Sequence, residues 1–126
     1  MAGFENSLSI SASGMRTQAQ RLRHVSENIA NADTPGYHRK TVSIKAQDEN
    51  GEVRIGRVML DRSALERIYD PAHPMASPDG YYDGTNVNLL TEIADAREAQ
   101  RSYEANLKMF DQVRQMSSSL LDLLRK

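Results

Sequence analysis

Cysteine is absent from this chain of 126 residues, which excludes a disulfide framework, a thiolate metal site and a cysteine nucleophile, and makes the chain indifferent to redox compartment. Tryptophan is also absent and aromatic residues make up 6%. With 39% hydrophobic residues, the chain supports one modest domain rather than a large catalytic core. Histidine occurs three times. Neither sign of charge dominates: 16 Lys and Arg stand against 17 Asp and Glu, a formal charge of −1, so no global field draws nucleic acid or anionic lipid. Long apolar runs are missing and the first basic residue is Arg16, so neither a membrane-spanning segment nor a cleavable secretory signal is expected. Ala2 excludes N-myristoylation. If such a chain leaves the cytoplasm, it needs a machine that reads no cleaved hydrophobic signal.

What is present reads as mainly α with a small β insertion. Leu8, Met15, Leu22 and Ile29 recur every seven residues, with Ala12, Ala19, Val25 and Ala32 on the same side, which predicts a helix with a coiled-coil-like seam. Arg16, Gln20, Arg23 and Glu27 occupy its polar side, and Pro35 and Gly36 stop it near Asn31. Val42, Ile44 and Ala46 then alternate with polar residues, and Asn50-Gly51 marks a tight turn before Val53, Ile55, Val58 and Leu60, the pattern of a β-hairpin. The alternation slips at Gly56-Arg57, as it would at a β-bulge. Ser63 to Glu66 fits a capping box with too few apolar residues behind it. Residues 70–86, rich in Pro and Gly, read as loop anchored by Tyr81 and Tyr82. After a cap at Asn86 or Asn88, the positions Leu89, Ile93, Ala96, Tyr103, Leu107, Phe110, Val113, Leu120, Leu121 and Leu124 define one long stripe. Glu104 to Lys108 and Asp122 to Lys126 are favourable pairs four apart, and Arg125 and Lys126 suit the negative end of the helix. The expected organisation is residues 1–37 as N-terminal helix and exit turn, 38–86 as hairpin and loop module, and 87–126 as C-terminal helix, the two helices packing as one helical domain.

Enzymatic signatures are weak. His24, His38 and His73 accompany no nucleophile elbow or triad segment. Asp70, His73, Asp79 and Asp83 have the spacing of neither an EF-hand nor a zincin, and Asp70 and Asp79 suit turn capping instead. The cations Arg16, Arg21, Arg23, Arg39, Lys40 and Lys45 lack the interleaved aromatics that stacking on nucleic acid needs. No catalytic residue, cofactor, metal or nucleic-acid partner is expected. The C-terminal stripe outruns what the first helix covers, so the apolar remainder points to association with other chains. Its operator is either open, giving a filament, or closed around one client, as in a helical adaptor.

The run Asn28-Ile29-Ala30-Asn31-Ala32-Asp33-Thr34-Pro35-Gly36-Tyr37 resembles the motif near the N-terminus of bacterial flagellar axial rod and hook proteins. Tyr69 to Pro74, Asp79-Gly80-Tyr81, and Asn86 to Asn88 leading into Ala99 to Asn106 resemble the middle and C-terminal signatures of the proximal rod proteins of FlgC type. The FlgB-type proximal rod protein shares the exit turn, and the His73 segment argues against it. Tyr82 departs from the pattern, where Val commonly follows the Gly-Tyr pair. The resemblance implies a non-enzymatic subunit of the basal-body proximal rod, in the periplasm, exported through the flagellar type III apparatus without signal cleavage. It also implies helical assembly with copies of itself, FlgB-type and distal rod proteins and the inner-membrane-ring junction protein, building drive shaft and export channel. On this reading Asn28, Ile29, Ala30, Asn31, Thr34, Pro35, Gly36 and Tyr37 form the assembly motif. Leu8, Met15, Leu22, Ile29, Ile93, Tyr103, Leu107, Phe110, Leu120 and Leu124 form the interface stripe.

Overall fold

The computed structural model describes residues 2–47 and 49–125. Two helices bracket two small hairpins: α1 (Ala2–Ala30), β1 (Lys40–Gln47), β2 (Glu52–Leu60), β3 (Arg67–Tyr69), β4 (Tyr81–Asp83) and α2 (Leu89–Arg125). Helix α1 ends where the sequence stops it but begins earlier than Leu8: it runs through Gly3, and Phe4 meets Met116 and Leu120 of α2, so packing outweighs the weak propensity of the first turn. Asn88, not Asn86, caps α2: its Oδ1 accepts from the amides of Leu90 at 3.0 Å and Thr91 at 3.3 Å. Lys126, assigned above to the end of that helix, lies outside the described residues.

The helices run antiparallel, with Asn28 beside Glu92 at one end, and Phe4 sharing a cleft with Met116 and Leu120 at the other. Midway they nearly touch. A Cβ built on Gly14 would lie 2.4 Å from Asn106 Oδ1, so the small residue sets the approach of the two axes. From this register the 37-residue α2, about 55 Å long, continues past the start of the 29-residue α1. Leu121 and Leu124 at that end are exposed.

Strands β1 and β2 pair antiparallel from Gln47↔Glu52 to Lys40↔Leu60. The register slips between Val42↔Val58 and Ile44↔Ile55, so Ser43 alone opposes Gly56 and Arg57, the bulge expected there. Residues 63–69 form no helix; Ser63 closes an Asx turn on Asp61, and Arg67–Tyr69 becomes β3. It pairs with β4, Tyr69↔Tyr81 and Arg67↔Asp83, inside the stretch read as loop. Tyr82 stacks on His73 at 3.9 Å and Tyr81 tilts against Tyr69 at 5.0 Å, so both act as anchors through aromatic contact.

The buried set differs from the heptad pattern. Among the described residues, the apolar core is Val25, Ala99 and Val113, and the largest fully buried side chains are Glu92, Asn28, Thr17, Ser11 and Ser13. The heptad residues Leu8, Met15 and Leu22 sit half-buried on the shoulder of that face, and Ile29 is exposed. Overpacking at the close approach is expected to cost about 1–3 kcal/mol. Gly14→Val should therefore lower the denaturation midpoint, and Asn106→Ala should restore much of the loss, because the Asn106 amide otherwise only donates back to Ser102 O. Urea unfolding of the single and double variants measures this coupling.

Candidate functional site

The helix exit is built around one amide. Asn28 Oδ1 accepts from Lys40 N and from Tyr37 OH, each at 2.8 Å. Its Nδ2 donates to Lys40 O at 3.0 Å and to Glu92 Oε2 at 3.2 Å. All the hydrogen-bonding capacity of this buried side chain is used, and α1, the start of β1 and the start of α2 are tied at one point. Asn31 Nδ2 donates at 2.8 Å to Glu27 O, which also accepts from Asn31 N at 3.1 Å, and Thr34 Oγ1 donates to Asn31 Oδ1 at 3.1 Å. Gly36 takes φ 79°, a left-handed conformation that a branched side chain resists. Its amide donates to Gly84 O at 2.9 Å, docking the exit turn on the end of β4. Thr85 Oγ1 donates to Ala32 O at 2.9 Å beside it. Ile29 and Ala30 of the motif are exposed, whereas Asn31 and Pro35 are half-buried.

Around Asn28 lies an ion-pair cluster whose members no spacing rule brings together. Arg39 Nε donates to the fully buried Glu92 at 2.6 Å, and the same guanidinium stands 3.4 Å from Asp61 and 3.6 Å from Asp95. Burial opposes the Arg39 charge, but the hydrogen bonds and charges of Glu92 and Asp61 outweigh it and raise the guanidinium above its ordinary value. The backbone N–H and hydroxyl of Ser63, with Arg39 beyond them, hold the Asp61 carboxyl below its usual range. Lys40 donates to Glu27, lowering that carboxyl and raising the ammonium in return. Arg39 N donates to Asn86 Oδ1 at 2.7 Å and Asn86 Nδ2 donates to Asp61 O at 2.9 Å, so Asn86 staples β1 to the connection after β2. The carboxylates here are engaged by cations and amides, an arrangement that fixes geometry.

A cavity of about 400 Å³ beside the cluster is lined by Arg21, His24, Val25, Arg39, Val42 and Ile44, among others. No Ser, Thr or Cys nucleophile is hydrogen-bonded to His24 among the described residues; Glu27 Oε2 stands 3.9 Å from its Nδ1. His38 Nδ1 contacts Asp61 O at 3.0 Å. Asp70 Oδ1 accepts from Ala72 N at 3.2 Å and Asp79 accepts from Tyr81 N at 3.4 Å, both in turns, and Asp79 also pairs with Ser77 and Arg67.

The stripe residues separate into two groups. Tyr103 and Phe110 lie on the α1-facing side of α2 and are half-buried there. Ile93 and Leu107 stand on its shoulder, 43% and 40% exposed, and Leu120 and Leu124 near its end are 38% and 72% exposed.

Similarity to known proteins covers both ends of the chain. A family model described as "Flagella basal body rod protein" matches residues 8–38, and one described as "Flagellar basal body rod FlgEFG protein C-terminal" matches residues 79–123. Curated relatives carry the name flagellar basal-body rod protein FlgC. That of Agrobacterium fabrum is 43% identical over 92% of this chain and 91% of its own length. That of Bacillus subtilis is 31% identical over 94% and 96% respectively, and that of Salmonella typhimurium 28% over 94% and 96%.

Two outcomes test the site. Arg39→Met leaves Glu92 buried without its cation and is expected to cost about 3 kcal/mol. The double variant Arg39→Met with Glu92→Leu should recover a large part of it, read by urea unfolding. Gly36→Val forces a branched residue to φ 79° and is expected to cost about 1–3 kcal/mol, read by urea unfolding.

Proposed function

Because this chain belongs to the FlgC family of flagellar basal-body rod proteins, and so is a structural subunit of the proximal rod, we propose that its outward helix faces build the contacts of that rod. The observation that carries the reading is the apolar surface the chain leaves on its own helices. Ile29, Ile93, Leu107 and Leu120 are each 38–43% exposed, and α2 extends beyond α1 with Leu123 and Leu124 67% and 72% exposed. Such a surface is stabilised when a neighbour removes it from water. The half-buried Leu8, Met15, Leu22, Tyr103 and Phe110 complete the stripe along the groove edges. Residues 1–37 and 87–126 act as one helical unit, with 38–86 carried at its side.

Neighbours along the stripe are copies of this chain and other rod proteins, of the FlgB and distal types, and the inner-membrane-ring junction protein. A head-to-tail operator that does not close gives helical growth. The rod stands in the periplasm, and the chain reaches it through the flagellar type III apparatus without signal cleavage. Among the described residues, no helix is long and apolar enough to cross a membrane. The role is mechanical rather than catalytic. The exit motif then serves assembly by holding α1, the hairpin and α2 at fixed angles, so that each subunit offers its neighbours the same shape.

Charge placed on exposed stripe positions separates assembly from folding. Leu107→Asp and Leu124→Asp should leave the unfolding free energy of the isolated chain within about 0.5 kcal/mol of the parent while abolishing rods and swimming. Working rods in both variants would exclude the stripe as the contact.

A further inference from the structure

The two edges of the large hairpin are treated differently along their length. Because Asp61 N donates to Arg39 O at 2.8 Å, the next pairs inward alternate, so Lys40↔Leu60 and Val42↔Val58 point their backbone groups away from each other. The outward groups of Lys40 are taken by Asn28. Those of Val53 are taken by α1 as well: Val53 N donates to Ser13 Oγ at 3.0 Å and Thr17 Oγ1 donates to Val53 O at 3.4 Å. Beyond the bulge, β2 leaves the helix. The outward N–H and C=O of Val58 and Leu60 meet no partner among the described residues. Three consecutive apolar side chains, Val58, Met59 and Leu60, are 40%, 59% and 55% exposed there. They line, with Arg57 and Arg62, a shallow depression of about 360 Å³.

The charge beside this edge is one-sided. Arg54 is paired across the ladder with Lys45, a like-charge pair that destabilises an isolated hairpin. Among the described residues, Lys45, Arg54, Arg57 and Arg62 have no carboxylate within 4.0 Å. We propose that the part of β2 beyond the bulge accepts a third strand from another polypeptide, an extended segment in which acidic residues alternate with apolar ones. Its backbone pairs with Val58 and Leu60, its apolar side chains cover the Val58 to Leu60 depression, and its carboxylates meet Arg54, Arg57 and Arg62. Headgroups and nucleic acids do not supply the alternating amide and carbonyl row that this edge requires. A second copy paired antiparallel at Val58 and Leu60 would set Arg57 against Asp61, already paired with Arg39, and leave Arg54 and Arg62 without carboxylates, so it answers the charge of this edge less fully than an acidic strand. The surface uses neither helix stripe, so it stands or falls apart from the reading above.

The test is titration of the full isotope-labelled chain with a capped peptide of alternating glutamate and valine, followed by NMR. Saturable shifts and slowed amide exchange at Val58 and Leu60 are expected. Replacing glutamate by lysine, N-methylating alternate peptide amides, or substituting Arg57→Glu should each weaken binding by roughly tenfold or more. Leu60→Pro removes an edge N–H that the β1–β2 ladder does not use, so it should keep the melting temperature and lose the peptide. The proposal is overturned by an absence of saturable shifts at Val58 and Leu60, by equal binding of the N-methylated peptide, or by concentration-dependent shifts of those residues without peptide, which would assign the edge to a second copy.

Discussion

Helix α1 carries side chains that act as strand partners. A two-stranded hairpin exposes a row of unpaired backbone groups on each side and is marginal in water by itself. Here Asn28 supplies one donor and one acceptor to Lys40 on the β1 edge, while Ser13 and Thr17 do the same for Val53 on the β2 edge. One helix thus holds the hairpin diagonally by both edges. Moving α1 relative to the hairpin would leave four backbone groups and a buried amide unsatisfied, a penalty of about 1–3 kcal/mol for each. These directional bonds set the orientation of the hairpin on the helix pair.

That arrangement explains why the interior of this chain is so polar. Ser11, Ser13, Thr17, Asn28 and Glu92 are buried where a helical pair would ordinarily place Leu and Ile. Small residues let the helices approach closely at Gly14, and polar ones answer the strand edges and the start of α2. The larger apolar residues are displaced onto the shoulders and onto the overhang of α2. A subunit of this design derives little of its stability from its own core. Burial of the exposed Leu107, Leu120 and Leu124 in the proposed contact would add what the isolated chain lacks, at about 25 cal/mol per Å² of apolar area.

The sequence made some of this legible and concealed the rest for identifiable reasons. The C-terminal end of α1, the bulge at Gly56-Arg57 and the exit turn are local matters of propensity, parity and backbone freedom, and all three stand where residue patterns put them. Arg67–Tyr69 and Tyr81–Asp83 were hidden because three-residue strands show too short a period to rise above the surrounding Pro and Gly. The heptad spacing of Leu8, Met15, Leu22 and Ile29 marks a real apolar stripe, yet periodicity cannot tell which of two adjacent faces turns inward. The decisive partners of Asn28, Ser13 and Thr17 lie 12 to 64 residues away. The meeting of Arg39 with Glu92 likewise depends on a separation of 53 residues, and no spacing rule reaches so far.

The split between polar interior and apolar exterior also suits a part that must bear torque. A joint made of hydrogen bonds with defined directions resists rotation of the hairpin about the helix, because small displacements lengthen several bonds together. An apolar contact between subunits has no such direction and tolerates the small differences in angle that a curved or twisted assembly demands. Directional bonds inside the subunit keep each copy identical, and the proposed non-directional contacts between subunits would absorb the mismatch. Exchanging the two, with a greasy joint inside and a hydrogen-bonded seam outside, would give variable subunits with inflexible interfaces, and regular growth would stall.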